Sequence, residues 1–179
     1  MKRIVPTIII LVALAFAAVG LLKPWIGDIV ETWQAENQNL KLKVVMRQER
    51  CFAVCGAYYT FQSASVGSDR WREIFTAHHD DPNPIPRENL RFVNPQIGYV
   101  FFGSKYAVTT DAGKSWAVWD AWEANKSLRF EEYKLYPSIV DVSIESDGRG
   151  RMRLYPITDK PVNQLELQTA DYGRSWRVD

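Results

Sequence analysis

The octet TTDAGKSW, Thr109 to Trp116, returns sixty residues later as TADYGRSW, Thr169 to Trp176. Each copy follows a short run of strand-forming residues and ends in a tryptophan that begins another such run. In a tight turn an aspartate accepts backbone N–H bonds, a glycine takes a positive φ, and a hydroxyl closes the turn locally. The repeat therefore predicts two β-hairpins with matching turns, in which each tryptophan packs against the base of its hairpin.

Short runs rich in β-branched and aromatic residues continue along the chain from about Leu42, separated by Gly, Asp, Asn, Pro and Ser. VDVSIESDGRGRMRLYPI predicts a hairpin that turns at SDGRG, with inward-facing positions at Val140, Val142, Ile144, Met152 and Leu154. DAWEANKSLRFEEY is the other helix candidate, and DDPNPIPREN is typical of a loop. We predict an all-β domain over residues 42–179, either a small antiparallel β-sandwich or a partial, propeller-like fold.

The two octets resemble the Asp-box motif, Ser/Thr-x-Asp-x-Gly-x-Ser/Thr-Trp. The matching positions are Thr109, Asp111, Gly113, Ser115 and Trp116 in the first copy, and Thr169, Asp171, Gly173, Ser175 and Trp176 in the second. In sialidase-like and photosystem-assembly-factor propellers the motif is a structural hairpin element away from the active site. The resemblance therefore implies that both octets are scaffold.

A degenerate third copy ends at Trp71, in VCGAYYTFQSASVGSDRW. The three tryptophans then stand 45 and 60 residues apart, which is near or above the length of a propeller blade. Three units are too few to close a ring, which normally needs four or more blades. The domain should therefore be an open fragment, unless several chains assemble.

An uncharged run from Ile4 to Leu22 follows Lys2 and Arg3 at the start of the chain. At helical rise its nineteen residues cover about 28 Å, close to the hydrocarbon thickness of a bilayer. We predict residues 1–23 to be a transmembrane anchor or a signal peptide, and the leading positive charges favour a domain outside the cytoplasm. The expected location is the bacterial inner membrane, crossed once, with the C-terminal domain in the periplasm.

Residues 24–41 have mixed polarity and good helix formers, and they predict a short helical stalk with Ile29 and Trp33 on one side. The only cysteines, Cys51 and Cys55, are readily a disulfide in an oxidising compartment. Because an extended chain would separate their Cα atoms by about 13 Å, that bridge requires a bend in CFAVC. Metal binding by the pair is less favoured, since the spacing is not CxxC.

Composition and motifs give little support to catalysis. The chain has 22 basic and 21 acidic residues, so a broad phosphate-binding surface for nucleic acid is not expected. The sequence contains no GxSxG elbow, no phosphate-cradling glycine loop and no HExxH. A sialidase-like hydrolase would also need separated acids or an activated tyrosine on a complete propeller. We predict no catalytic residue, no cofactor and no metal ligand.

Two charged groups invite a functional interpretation. HHDD, from His78 to Asp81, carries metal-ligand residue types, but adjacent histidines rarely reach one ion and the segment is a proline-rich loop. Arg149, Arg151 and Arg153 alternate along one strand, as an anion site would require. Pairing with Asp141 and Glu145 on the opposite arm of the hairpin is the simpler interpretation.

A binding protein is the remaining class. Tryptophan and tyrosine are favoured anchors at protein interfaces, and several lie outside the expected core pattern beside acidic residues. The candidate partner surface comprises Trp119, Trp122, Glu123, Glu131, Glu132, Tyr133 and Tyr136. For any single ring, packing beneath the loop between the two octets is the competing interpretation.

The whole chain resembles the immunity proteins that protect bacteria from type VI secreted lipase effectors. The resemblance lies in the N-terminal anchor, the small exported domain and FVNPQIGYVFFGSKYAVTTDAGKSW, and it covers roughly Lys43 to Asp179. It implies a membrane-tethered periplasmic inhibitor that binds an incoming lipase. A membrane-complex assembly factor, or a small glycan-binding or hydrolytic domain, is the alternative.

Overall fold

The computed structural model of this protein describes residues 26–49, 55–128, 137–156 and 164–178. These residues form three antiparallel four-stranded sheets. Sheet 1 contains β1 (Ile26–Glu36), β2 (Leu40–Glu49), β3 (Ala57–Ser65) and β4 (Arg72–His79). Sheet 2 contains β5 (Leu90–Phe92), β6 (Gly98–Phe102), β7 (Lys105–Thr109) and β8 (Ala117–Asp120). Sheet 3 contains β9 (Pro137–Ile144), β10 (Gly150–Pro156), β11 (Leu165–Thr169) and β12 (Arg177–Val178).

The prediction of an all-β chain with little helix is confirmed. Helix α1 spans Ala121–Leu128, inside the segment proposed from the sequence, and a single 3-10 turn at Arg87–Asn89 interrupts the predicted loop 80–89. Among the described residues no helix is long and apolar enough to cross a membrane. The predicted anchor or signal, residues 1–23, lies outside them.

The predicted helical stalk over residues 24–41 is wrong where that range is described. Ile26–Glu36 is strand β1, which pairs with β2. From residue 31 to residue 36, half-buried and exposed side chains alternate, and a period of two belongs to a strand. Helix propensity is a weak prior, and the ladder to β2 together with the packing of Trp33 against the core overrides it. The β domain therefore begins by Ile26, well before residue 42.

Asn37 explains where β1 turns into β2. Its Oδ1 accepts the backbone N–H groups of Asn39 and Leu40, both at 2.9 Å. An asparagine that bonds its own backbone in this way favours a turn over a continuing helix. The sequence ENQN was therefore a hairpin signal inside the predicted stalk.

Sheet 2 lies between the other two sheets and is buried on both faces. All five residues of β6 are buried. Val100 and Phe102 belong to a first core cluster, shared with sheet 1, whereas Tyr99 and Phe101 belong to a second cluster, shared with sheet 3. Burial on both faces gives β6 a continuous apolar sequence, GYVFF, in place of an alternating one.

Sheet 3 confirms the hairpin predicted between β9 and β10 but changes one side chain. Val142 and Met152 are fully buried opposite each other, and Gly148 turns the chain with φ 92°. Val140, predicted to face inward, is 46% exposed. A register shift between Arg153 and Leu154 on β10 moves the inward position to Ile139, since one extra residue in a strand reverses the side-chain alternation.

The connections divide into two sets, one at each end of the stack. At the turn end lie the connections 37–39, 66–71, 93–97, 110–116, 145–149 and 170–176. At the loop end lie the first residue of β1, the two-residue turn 103–104, and the strand ends that flank the connections 50–56, 80–89, 121–136 and 157–164. Backbone bonds across the stack join equivalent ends, as where Ile139 N donates to Gly103 O at 2.7 Å at the loop end.

Candidate interaction surface

The first Asp-box is a closed hydrogen-bonded turn between β7 and β8. Asp111 Oδ1 accepts the Ser115 N–H at 2.9 Å and the Thr109 hydroxyl at 2.8 Å, while Asp111 Oδ2 accepts the Ser115 hydroxyl at 2.6 Å. The Thr109 hydroxyl oxygen in turn accepts the Gly113 N–H at 2.8 Å. The carboxylate is thus occupied within its own turn, which is a structural role.

The second Asp-box, between β11 and β12, repeats these bonds almost atom for atom. Asp171 accepts from the Thr169 hydroxyl at 2.7 Å, the Ser175 N–H at 2.9 Å and the Ser175 hydroxyl at 2.7 Å. Gly173 N–H donates to the Thr169 hydroxyl oxygen at 2.9 Å. The two turns occupy equivalent places, each joining the third and fourth strands of its sheet.

These bonds also set the acidity of the two carboxyls. Partial burial acts to raise the pKa of Asp111, but the hydrogen bonds from Ser115 and Thr109 outweigh it and hold the pKa at about 2. The pKa of Asp171 is lowered by the same balance, with burial opposed by the bonds from Ser175 and Thr169. A general acid needs the opposite, a pKa raised toward neutrality. The electrostatics of both turns therefore favour a permanently charged turn cap.

The two Asp-box tryptophans lie at the two interfaces between sheets. Trp116 packs against the first core cluster, and its Nε1 donates to the Ser63 hydroxyl on β3 at 3.0 Å. Trp176 is buried in the second cluster, edge-on to Tyr106 with 5.5 Å between ring centroids. Its buried Nε1 has no hydrogen-bond partner among the residues that the structure describes. Each motif thus attaches its own sheet to the preceding one.

The degenerate third copy lies at the equivalent place in sheet 1, the connection from β3 to β4. Its turn uses Gly67 at φ 80°, and Ser68 N donates to Ser65 O at 3.0 Å. Trp71 is placed differently from the other two tryptophans, because Lys43 and Lys41 stack over its ring at 4.0 and 5.2 Å from the centroid. Burial and the neighbouring charge of Lys41 both lower the pKa of Lys43.

Arg149, in the turn before β10, and Arg151 and Arg153, on β10, are all paired, as the alternation predicts. Arg153 lies 3.5 Å from Asp141, and Arg149 lies 3.7 Å from Glu145. Arg151 pairs on the other side, with Glu166 of β11 at 3.5 Å, a partner that the hairpin alone did not reveal. A shallow cavity of about 400 Å³ runs along this face, with its arginines neutralised by these partners. None of these three arginines is therefore a free cation that an anion site on this face could use.

The His78–Asp81 segment is the end of β4 and the start of the connection that follows it. His78 Nε2 lies 3.3 Å from Glu49, and its ring stacks on Tyr58 with 4.7 Å between centroids. His79 Nδ1 bonds back to its own loop at Asp81, 2.7 Å from the carbonyl oxygen. The two imidazole rings therefore contact different neighbours. Within the residues described, no three His, Cys, Asp or Glu side chains are grouped to hold a metal ion.

The candidate partner surface is split by the structure. Trp119, on β8, is half-buried against the second core cluster, with its ring centroid 6.4 Å from that of Trp176. Its role is mainly packing. Trp122 and Glu123 are exposed on the first turn of α1, at the loop end. Glu131, Glu132, Tyr133 and Tyr136 lie outside the described residues.

Cys55 is disulfide-bonded at the loop end, where it precedes β3. Cys51, the other cysteine of the chain, lies in the segment 50–54 outside the described residues, so its pairing stays a prediction. The hairpin closes just above this segment, where Glu49 N donates to Gly56 O at 3.0 Å. The predicted bridge therefore falls in the connection between β2 and β3.

Arg91 is a structural residue that the sequence did not single out. From β5 its guanidinium donates to Val142 O at 2.7 Å and to Asp141 Oδ1 at 3.1 Å, both on β9. Tyr99 OH donates to the same carbonyl at 3.1 Å. These bonds join sheets 2 and 3 between residues about fifty positions apart, so no local sequence pattern could have indicated them.

Comparison of the chain with protein-family models, with curated proteins and with solved structures finds no match. The functional interpretation therefore rests on the sequence and on the geometry of the surface.

Proposed function

We propose that this chain is a membrane-anchored periplasmic immunity protein that binds and neutralises a type VI secreted lipase effector. The observation that carries the proposal is the division of the stack into two ends. The acids most suggestive of catalysis, Asp111 and Asp171, are engaged in turns at one end. At the other end lie the exposed aromatic Trp122, the connection 80–89, and the strand ends that flank the connections 50–56, 121–136 and 157–164. Loops held by a rigid scaffold are where binding residues concentrate.

The finer fold that we propose is an open, propeller-like stack of three blades. Each sheet is a four-stranded meander, and each carries its glycine turn between its third and fourth strands. The outer face of sheet 3 is charged, with Arg149, Arg151 and Arg153 exposed. The outer face of sheet 1 carries Lys41 and Lys43. Polar outer faces are how terminal repeats stay soluble without a further neighbour.

The predicted anchor orients the loop end relative to the membrane. Leu22 ends the apolar run and Ile26 begins β1, so only three residues separate the two. Even fully extended, that link reaches no more than about 14 Å. The loop end therefore faces the bilayer, where a lipase acts, and tethering raises the local concentration of the inhibitor there.

Co-production with a lipase tests this function. A type VI lipase effector, taken from the gene neighbourhood where one is encoded there, is exported to the periplasm of a bacterial host, and survival is measured with and without the full chain. We expect the full chain to restore growth and a catalytically dead lipase to need no protection. A chain that never protects, and never binds the purified lipase, would sink the immunity proposal and favour an assembly role with an endogenous partner.

A further inference from the structure

We propose that the β1 corner, formed by Ile29 and Val30 with Arg47 beside them, lies against the bilayer and holds the loop end of the domain at the membrane surface. The occupant of this corner is a lipid surface. The inference rests on the anchor in the proposed function, because the anchor brings the corner to the membrane, and it does not depend on which protein the chain binds.

Ile29 and Val30 are consecutive apolar residues that both face solvent. Ile29 is 52% exposed and Val30 is 57% exposed. In a regular strand, neighbouring side chains point to opposite faces, so one of the two would lie on the face that packs against the core. The register of β1 against β2 shifts between Ile26 and Ile29 and again between Ile29 and Glu31. Such irregularities re-aim side chains, and here they leave exposed an apolar side chain that a regular strand would bury.

The chain enters the sheet close to this pair. Ile29 lies three residues after Ile26, the first residue of β1, which corresponds to about 10 Å of strand. The predicted anchor ends at Leu22, a short link before Ile26. The headgroup region of one leaflet is about 5–8 Å thick. A domain that leans toward its anchor therefore brings the two side chains into that region.

The charges beside the pair suit an anionic lipid surface. Arg47 is the Cα partner of Ile29 on β2, and it has no ion pair with any residue that the structure describes. The nearby acids are both engaged, since Glu49 lies 3.3 Å from His78 Nε2 and Asp28 is not without a partner. In an amphipathic surface of this kind the apolar side chains enter the headgroup region, and the guanidinium binds lipid phosphate.

Other exposed apolar side chains lie toward the same end of the stack. Tyr155, the second-last residue of β10, is 50% exposed at the loop end, where Trp122 is also exposed. In the described connections of the turn end, Val66 is the one large apolar residue that is exposed. Tyrosine and tryptophan are enriched where proteins meet the membrane interface. The distribution therefore indicates that the loop end, and not the turn end, contacts lipid.

The size of the corner also favours lipid over a protein as its occupant. A stable protein interface takes about 20–30 residues from each side. Two apolar side chains and one arginine are a much smaller surface, but a bilayer does not require a complementary shape. Because the anchor already holds the domain at the membrane, even a weak contact is intramolecular and is populated.

Photocrosslinking from position 30 tests the contact. The full chain, with photoreactive benzoyl-phenylalanine at position 30 or at position 66, is reconstituted in phosphatidylglycerol vesicles, floated on a density gradient and irradiated. Val66 is the matched control, because it is the same residue type and is 45% exposed at the turn end. We expect lipid adducts from position 30 and none above background from position 66. Equal adducts from both positions, or adducts from position 30 to a second chain in place of lipid, would overturn the proposal.

A third position separates a domain that lies on the bilayer from one that is only tethered near it. Position 155 is on sheet 3, far along the chain from the anchor. We expect lipid adducts from benzoyl-phenylalanine at this position, their loss in the double variant Ile29→Ser with Val30→Ser, and their retention in Val66→Ser. Because both replaced residues are exposed, thermal unfolding of the double variant should match that of the native chain. Adducts that persist in the double variant contradict a role for the β1 corner.

Flotation distinguishes failure of this inference from failure of the proposed function. If the chain does not float with the vesicles, it has no retained anchor, and both the tethered role and the lipid contact are wrong. If the chain floats but position 30 gives no lipid adducts, only the contact is wrong. Protection against the lipase is measured separately and does not enter either result.

Discussion

One aspartate stabilises each of the two octet turns through the hydrogen bonds that its carboxylate accepts. Asp111 and Asp171 each accept three strong bonds from a threonine and a serine of the same octet. Hydrogen bonds that are donated to a carboxylate stabilise its charged form. At the residue scale the octet is therefore a preformed cap, whose carboxylate accepts bonds from its own threonine and serine.

Replacing either aspartate should reduce stability in a pH-dependent manner. Asp111→Ala or Asp171→Ala should lower the free energy of unfolding by about 1–2 kcal/mol at neutral pH. Because the folded pKa of Asp111 is about 2, below the usual 3.8, its contribution is complete above about pH 4 and is lost as pH falls toward 2. Denaturant titrations at several pH values measure the difference between native chain and variant, which should shrink over that window.

Asp69→Ala is the matched control, since Asp69 also lies in a strand connection but its side chain is fully exposed. It should change stability little at any pH. If Asp111→Ala left unfolding unchanged but abolished partner binding, Asp111 would have to be reassigned as a contact residue.

Individual hairpins depend on glycines in two different environments. Gly173 has φ 82°, and a Cβ there would lie 2.5 Å from the Tyr106 hydroxyl and 2.8 Å from the Trp176 ring. Gly67 has φ 80°, but a Cβ there would meet nothing within 4 Å. At the element scale, one turn is packed into the second core cluster and the other projects into solvent.

Alanine substitution should separate these two requirements. Gly67→Ala carries the left-handed backbone cost alone, about 1–2 kcal/mol. Gly173→Ala adds the cost of overpacking, about 1–3 kcal/mol more, because Tyr106 and Trp176 must move. Thermal unfolding of the two variants side by side measures the difference. Equal losses would mean that the hairpin between β11 and β12 is not packed against sheet 2 as described.

In the part of the chain that the structure describes, the three sheets together leave two outer faces without a neighbouring sheet. Both carry charged side chains whose partners lie within the same sheet or its turns, such as Lys41 with Asp69 and Arg153 with Asp141. If two chains closed into a ring, such ion pairs would be buried. The free energy of removing them from water would then exceed the gain from their mutual attraction. At the scale of the molecule, the stack ends where its faces become polar.

We therefore expect the full chain to be a monomer. Analytical ultracentrifugation in detergent should give the mass of one chain, and Arg151→Glu on the outer face of sheet 3 should not change it. A dimer that this substitution dissociates would show instead that two open stacks close into one ring.

The sequence predicted most of this architecture where local chemistry was decisive. The complete octets indicated the turns at Asp111 and Asp171, and the SDGRG turn indicated the β9–β10 hairpin. The alternating arginines indicated cross-strand pairs. The sequence failed at β1, where good helix formers conceal a strand, and at Val140, where a register shift reverses the alternation. In both cases pairing with a distant segment decided the outcome.

The amino-acid sequence by itself determined that the domain is all-β, because strand-forming runs recur along it, and that the two octets form matching turns, because those turns depend on residues within one octet. Only the tertiary structure decided that Trp119 packs against the second core cluster while Trp122 stays exposed, and that the connection 80–89 and the start of α1 lie at the same end of the stack. Those properties depend on how three sheets pack, through contacts such as that between Arg91 and Val142. Packing between distant segments leaves no local pattern in a sequence.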